Sequence, residues 1–596
     1  MRSKNTSQLK NNNFDMLKNI DPIRLEVIKN GFDAIADEIA LILLRTAYSS
    51  IVRDSMDYST AICNKEGLTL AQGLTTPLHL GSFYDAMKNL INKFSNDIYE
   101  GDIFIGNDPY VASGQHLPDI YIVKPIFIEG QLEGWATTLA HHSDVGGIIA
   151  GSNSLGATEI YQEGLRVPFL KLYSKGKINS ALWEIIKTNV RVPDLVLGDL
   201  QAQIVACDIG SREYKDMFNK YGPEILNQYS KELQEYAELL ARTEISEIPD
   251  GNYTFVDYID GLGENPDPIK FNLSLSISGD EAIIDWSGSS SQVKGGINSP
   301  LPFTKAAAYT ALRSVMSSDV PNCHGYTKPI KIIAPEGSIT NPVLPAACGA
   351  RGITGLRMID CLFGALSKAV PNKVSADGWG GPSLPTFASY RDGNPFVFTE
   401  TLMGTWGATA NNDGQDGVPH MGGNQSNVPI EMIELDYPLR IEEYGLKKDT
   451  GGAGKFRGGL SVIRSYRALE DNIMLSIRSD KRKFPPHGLF GGQEGEPSMS
   501  ILKTKNDESI VPTLTTHPLY LKKNDLFQHV MAGGGGYGDP LKRDPNLVLK
   551  DVVEDKISIK NALNDYGVVI IKNLNNVFSI DIEATSSLIN KNLHYV

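Results

Sequence analysis

The stretch Asn107–Gly147, NDPYVASGQHLPDIYIVKPIFIEGQLEGWATTLAHHSDVGG, constrains the fold more than any other part of the chain. His116-Leu117-Pro118-Asp119 contains a proline, so it is not a helical H-x-x-D that stacks both polar groups on one face. It opens instead into IYIVKPIFI, rich in β-branched residues, which reads as a strand. After Glu129-Gly130-Gln131 the chain returns as LEGWATTLAHH. Two such runs joined by a short Gly-containing turn predict a β-hairpin whose open end gathers His116, Asp119, His141, His142 and Asp144.

Register decides which of these groups meet. With the three-residue connection Glu129–Gln131, Ile128 faces Leu132 and Asp119 faces His141. A connection of two or four residues moves the register by one and sets His142 opposite instead. Directly opposed residues hold their Cβ atoms about 4.5–5.5 Å apart. Only one of the two neighbouring histidines can share the face of Asp119, because successive strand side chains alternate. His116, just before the strand, can curl back over the same position. Two imidazoles and a carboxylate, with room left for water or substrate, suit a catalytic divalent ion such as Mn, Fe or Zn. Asp108 ends the preceding strand, held out of helical geometry by Pro109. Asp144 is expected to accept a hydrogen bond that fixes a histidine tautomer. The Gly-rich segment that follows offers Glu159, Gln162, Glu163 and Arg166 to a substrate.

Elsewhere the chain reads as scaffold. Leu25, Ile28, Phe32, Ile35, Ile39 and Leu43 recur every three to four residues, predicting a long amphipathic helix from Pro22. STAICNKEGLTLAQG predicts a second hairpin around Asn64–Gly67, His79 stands alone between apolar neighbours, and GSFYDAMKNLINKF predicts another helix. A long helical region runs from about Arg191, with a break near Gly222-Pro223; Arg191, Asp194, Asp199 and Gln203 near its start are expected on the solvated surface. Near residue 245 the pattern changes to alternating strands. AACGARGITG predicts a helix opening after a Gly-rich turn, with Arg351 the side chain to watch, whereas the Cys323-His324 pair is weak without further ligands. Loops dense in Gly, Asn and Asp place His420, Asn411, Asn412 and Asp413 as candidates for the pocket or an interface with a partner chain. His487, His517, His529 and His594 stand alone and are expected to be structural or solvated, and GGGGYGDP is expected to permit close backbone packing.

These elements predict an α+β fold: a mixed multi-unit architecture of β-hairpins, mostly antiparallel sheets and flanking helices. Its expected divisions are a disordered arm over 1–18, a site-bearing α+β domain over 19–245, a β-rich α+β domain with Gly-rich loops over 246–545, and a C-terminal helix, strand and tail over 546–596. A length of 596 residues supports several units. The net charge of −14 argues against a nucleic-acid surface. Cys63, Cys207, Cys323, Cys348 and Cys361 form no C-x-x-C pair, which fits a reducing compartment. No secretory signal or membrane span is evident, so a cytoplasmic location is expected. GGAGKF at 451–456 lacks the first glycine and the Ser or Thr of a phosphate loop, so it is not assigned to nucleotide binding.

The runs NDPYVASGQHLPD, AHHSDVGG, EIYQEGLRVP, GDLQAQ and GGGGYGDP resemble the hydantoinase B family, which is similar to the C-terminal half of 5-oxoprolinase and to the metal-bearing subunit of acetone and acetophenone carboxylases. The resemblance covers roughly Asp21 to Val569 and implies an ATP-dependent enzyme made of two kinds of chain, a hetero-oligomer. A hydantoinase A-type partner would activate a cyclic amide or ketone by phosphorylation using ATP, and this chain would complete hydrolysis; the alternative is the metal-bearing subunit of a carboxylase. In the related carboxylases an H-x-x-D pair and a later histidine hold the metal. Carried onto this sequence these are His116, Asp119 and His141, which selects the three-residue register. Asp108, His142, Asp144 and Glu163 are then expected around the metal or substrate.

Overall fold

The computed structural model describes residues 21–593 except 74, 75, 80, 265, 382, 392 and 574–576, with side chains to 588. The arm expected over 1–18 and His594 lie outside the described residues.

The first helix, Pro22–Thr46, starts where Asp21 accepts hydrogen bonds from the N–H groups of Ile23 and Arg24 at 3.0 and 3.3 Å, with Pro22 at the first helical position. Its stripe of Leu25, Ile28, Phe32, Ile35, Ile39 and Leu43 is buried, and the helix packs against a second long helix, Pro193–Tyr221. Both lie on a seven-stranded sheet made of β1 (Tyr58–Asn64), β2 (Thr69–Gln72), β3 (Ile103–Gly106), β4 (Asp119–Ile128), β5 (Gln131–His141), β6 (Leu170–Ser174) and β7 (Lys177–Ile178). The order is β2-β1-β5-β4-β3-β6-β7 and every neighbouring pair is antiparallel.

The central hairpin is apolar on both sides because both faces of the sheet are covered. Ile120, Ile122, Ile126, Ala136 and Ala140 join the core shared with the two long helices. Tyr121, Val123, Trp135 and Leu139 point the other way, onto Phe83, Met87 and Leu90 of the helix Ser82–Phe94. Asp119 and His141 belong by alternation to this second face and His142 to the first.

The helix Pro223–Ser246 ends where strand Gly251–Ile259 begins, matching the expected change near 245. One buried cluster nevertheless draws side chains from Leu25 to Leu514. Strands Gly251–Ile259, Ile269–Ser278 and Glu281–Asp285 run antiparallel, and Ile330–Ile333 adds parallel to the last. The fully buried helix Gly352–Leu366 lies on this sheet. Beyond it, a four-stranded and a five-stranded sheet enclose a separate aromatic cluster around Phe387, Tyr466 and Phe527. The Gly533–Gly536 run packs backbone to backbone: a Cβ on Gly458 would sit 1.9 Å from Gly534 O, and one on Gly533 would sit 1.9 Å from Thr450 O. The expected close packing is present, and Gly452 of the 451–456 run sits in the same bundle, its N–H bonded to Gly534 O at 2.8 Å. Among the described residues no helix is long and apolar enough to cross a membrane.

Candidate metal centre

Asp119 opens β4 and His141 closes β5, and the two are direct cross-strand partners. The turn that achieves this differs from the expected one. Ile128 pairs with Gln131 across a two-residue turn, Glu129-Gly130, with φ of 51° and 80°. Positive φ at both positions matches the twist of the flanking strands. The missing loop residue reappears as a bulge: Ile126 faces Gly134 while Phe127 faces Leu132, leaving Glu133 extra. Turn and bulge offset each other, so the site end keeps the expected register.

His116 completes the cluster from the turn before β4, where Asp119 N–H bonds His116 O at 3.1 Å. One ligand atom from each of His116, Asp119 and His141 lies within 4.8 Å of the others, and all three residues are buried. His116 Nδ1 lies 2.7 Å from Gly349 O. A carbonyl only accepts, so Nδ1 carries the proton and Nε2 a lone pair. His116 Nε2 and Asp119 Oδ1 are 3.0 Å apart, yet neither they nor His141 Nδ1 make a hydrogen bond of acceptable geometry. Buried polar atoms are normally satisfied, and two imidazoles and a carboxylate brought within 4.8 Å of one another, each with an unpartnered buried atom, are a donor set that fits a divalent cation.

Electrostatics prepare the same state. Burial and the Arg351 guanidinium lower the His116 imidazole, and burial together with neighbouring His116 takes His141 well below the ordinary histidine range. Burial alone would raise Asp119, but His116 and Arg351, the latter hydrogen-bonded to its Oδ2, hold it well below the usual carboxylate range. Neutral rings and an ionised carboxylate are the ligand forms of these residues.

The triad opens on a small cavity of about 50 Å³. His79 lines it, 3.9 Å from Asp119 Oδ2, with Nδ1 2.8 Å from Ser59 Oγ and burial lowering it to about 4. Arg351 enters from the start of the Gly352–Leu366 helix, as the Gly-rich turn suggested. Asp57, which sequence reasoning missed, also lines the cavity; burial and the charge of Asp119 raise its carboxyl to about 7, and Gln425 donates to it at 3.2 Å. Asn153, Phe303, Thr401 and Arg478 likewise carried no local signal.

The four residues expected around this centre take partners outside the cavity wall. Asp108 accepts from Arg166 Nε at 2.6 Å and from the N–H groups of Tyr110 and Val111. His142, on the opposite sheet face, meets Gln203 Oε1 at 2.9 Å. Asp144 receives Arg191 and the N–H groups of Gly146 and Gly151, so it fixes a loop and no histidine. Glu163 accepts from Gly349 N–H at 2.6 Å and Cys348 N–H at 3.1 Å, supporting from behind the segment whose carbonyl orients His116. Asp199 and Gln203, expected on a solvated surface, are fully buried. Asp199 accepts from Tyr48 and Ser49 N–H just after the first helix, and Gln203 faces the sheet, bridging His142 and Ile120 O.

His420, a candidate for the pocket or a partner interface, and His487, expected to stand alone, both belong to a buried ionic cluster. His420 Nε2 is 3.0 Å from Asp360, and His487 Nδ1 is 3.1 Å from Asp377, which also binds the buried Lys481. Asp413 pairs with Arg543. His324 stacks on Tyr84 with ring centroids 4.1 Å apart, and His529 lies between Ser500 and Ser383.

Fold and site together define a large α+β chain built around a buried two-histidine, one-carboxylate donor set. The Hydantoinase B/oxoprolinase family profile matches residues 21–540, and the chain belongs to that family. It is 35% identical over 589 residues to the B component of a putative D-/L-hydantoinase from Pseudomonas sp. (strain NS671), covering 96% of this chain and 98% of that protein. The β chain of caprolactamase from Pseudomonas jessenii is 31% identical, with 93% and 97% covered. The crystal structure of ATP-dependent caprolactamase from the same organism superposes with a TM-score of 0.89 at 29% identity, covering 96% of this chain and 100% of that one. A nucleotide-free acetone carboxylase structure shares the fold, with a TM-score of 0.89 at 19% identity and coverage of 97% and 84%.

Proposed function

We propose that this chain is the hydantoinase B-type component of an ATP-dependent amidohydrolase of the hydantoinase/oxoprolinase class. It would complete hydrolysis of a cyclic amide that a hydantoinase A-type partner has activated by phosphorylation. The observation that carries this reading is the converged, unpartnered donor set of His116, Asp119 and His141 on a buried polar cavity. The names of the relatives, one component of a hydantoinase and the β chain of a caprolactamase, support both the substrate class and a partner chain. The triad would hold a divalent ion, Mn, Zn or Fe, which when bound lowers the pKa of water and polarises a carbonyl.

The chain's own residues supply the rest. Gly349 O orients His116 and Arg351 orients Asp119. Asp57 lines the same cavity and is the carboxyl placed there to exchange a proton with a bound substrate. Phe303 and Leu384 give the cavity an apolar wall. ATP would act on the partner, since Gly452 and Gly454 of the 451–456 run pack against neighbouring backbone.

The test is direct. Purified with its A-type partner and given ATP, a divalent ion and a cyclic amide, the wild-type chain is expected to support substrate loss without bicarbonate. His116→Ala and Asp119→Asn are expected to lose both metal content and turnover. Full metal retention by both variants would sink the site assignment, and strict bicarbonate dependence would move the chain to the carboxylase reading.

A further inference from the structure

The cavity that contains the triad also contains two guanidinium groups, Arg351 and Arg478, inside a chain whose net charge is −14. Each residue is only 5% exposed. Arg478 ends the strand Ile473–Arg478, and Arg351 precedes the helix Gly352–Leu366. Gly352 lets them meet: a Cβ there would lie 3.3 Å from Arg478 Nη2, so the guanidinium rests against the first turn of the helix. Among the described residues no side chain caps that turn, and a helix start carries partial positive charge. The carboxylates lining the cavity are Asp119 and Asp57. Asp119 is already engaged by Arg351, and a cation held by the triad would add further positive charge.

Unsatisfied hydrogen-bond donors point the same way. Thr76 Oγ1, Thr401 Oγ1 and Arg351 Nε are buried in this wall without a hydrogen-bond partner among the described residues. Both threonines are 2% exposed. Each of these atoms can donate a hydrogen bond. Donors lacking acceptors, beside two guanidinium forks, match a ligand with several acceptor oxygens and negative charge.

We propose that Arg351, Arg478, Thr76 and Thr401, with the start of the Gly352–Leu366 helix, form an oxyanion subsite beside the triad. It receives the phosphoryl or carboxylate end of the reacting molecule. The hydrolase reading supplies the reason an oxyanion arrives there, and the inference rests on that reading to this extent. The two guanidinium forks and the unpartnered donors belong to the chain itself, so binding of a simple oxyanion does not require the triad to be loaded.

Calorimetric titration of inorganic phosphate, and separately of acetate, into the full-length chain tests this in metal-free and metal-loaded protein, with metal content measured in parallel. Phosphate or acetate is expected to bind both forms. Loss of a hydrogen bond to a charged group typically weakens binding about tenfold or more; that is the loss expected for Arg478→Gln, with a smaller loss for Thr401→Val and unchanged metal content in both. Arg478→Lys keeps the charge but not the fork, so it should fall between and serves if Arg478→Gln does not fold. The tighter of phosphate and acetate identifies the end received. Equal affinity in wild type and Arg478→Gln, or no binding of either anion to wild type, overturns the subsite. A wild-type chain that binds phosphate but takes up no metal overturns the triad reading and leaves the subsite standing.

Discussion

Glu163 shows how one buried carboxyl can couple the site's support to pH. Burial pushes it up to about 8 against the two backbone N–H groups it accepts from. The native state therefore holds a proton that the unfolded chain releases near pH 4.5. The associated stability is fully present below that value and is lost as pH rises through about 8. One pKa unit corresponds to about 1.4 kcal/mol, so the whole shift amounts to a few kcal/mol. Glu163→Gln has no such proton to lose. The variant's melting temperature minus that of wild type is thus expected to grow more positive between pH 5 and 9, measured by thermal unfolding; a difference that stays flat with pH would contradict this. Nothing local distinguishes Glu163 from Glu159 or Gln162 as the buried one, because its donors, Cys348 and Gly349, lie far along the chain. His142 is the opposite case: strand alternation alone separates it from His141 once the register is known.

The β4–β5 hairpin explains why the triad is legible from sequence while its turn is not. His116, Asp119 and His141 sit within one local unit, so β-branched patterning and alternation bring them to one end of a hairpin, while the choice of His141 over His142 comes from the family resemblance. The three-residue loop is the wrong detail, since Glu129-Gly130 adopts a tight turn and Glu133 is absorbed as a bulge. A deletion separates the two features. Removing Glu133 should let Ile126 pair with Gly134 in an unbroken ladder and leave Asp119 opposite His141. Stability should fall modestly, because Glu133 O accepts from Tyr214 and its carboxylate from Asn227. Metal content per folded chain should not change. A folded deletion variant that no longer takes up metal would show that the bulge itself shapes the site. The cavity's other walls are hidden from this reasoning: Asp57, Thr401 and Arg478 arrive from three separate segments with no shared period or motif. Arg351 stands out only because a Gly-rich turn announces a helix start.

At the scale of the whole molecule, a buried ionic cluster fastens segments that sequence order keeps apart. Arg357 on the Gly352–Leu366 helix pairs with Asp257 at 2.8 Å and with Asp480. Lys481, fully buried, binds Asp377 and lies 3.7 Å from Asp360, which meets His420. These contacts join the helix that carries Arg351, the strand Gly251–Ile259 and the loops around 377, 420 and 480, so the cavity wall is held from behind by charge. Taking such charges out of water is costly, and removing one partner leaves the other uncompensated, typically costing about 3–5 kcal/mol. Lys481→Met should therefore destabilise the chain strongly, as should Asp377→Asn, which also removes the negative charge facing His487 Nδ1. In the double variant neither group is stranded against the other, so its loss in unfolding free energy should be smaller than the sum of the two single losses, by about 0.5–3 kcal/mol for groups in contact. Denaturant unfolding of the four proteins measures this difference. Additive losses would mean that Lys481 and Asp377 stabilise the wall independently and that the cluster does not act as one fastening.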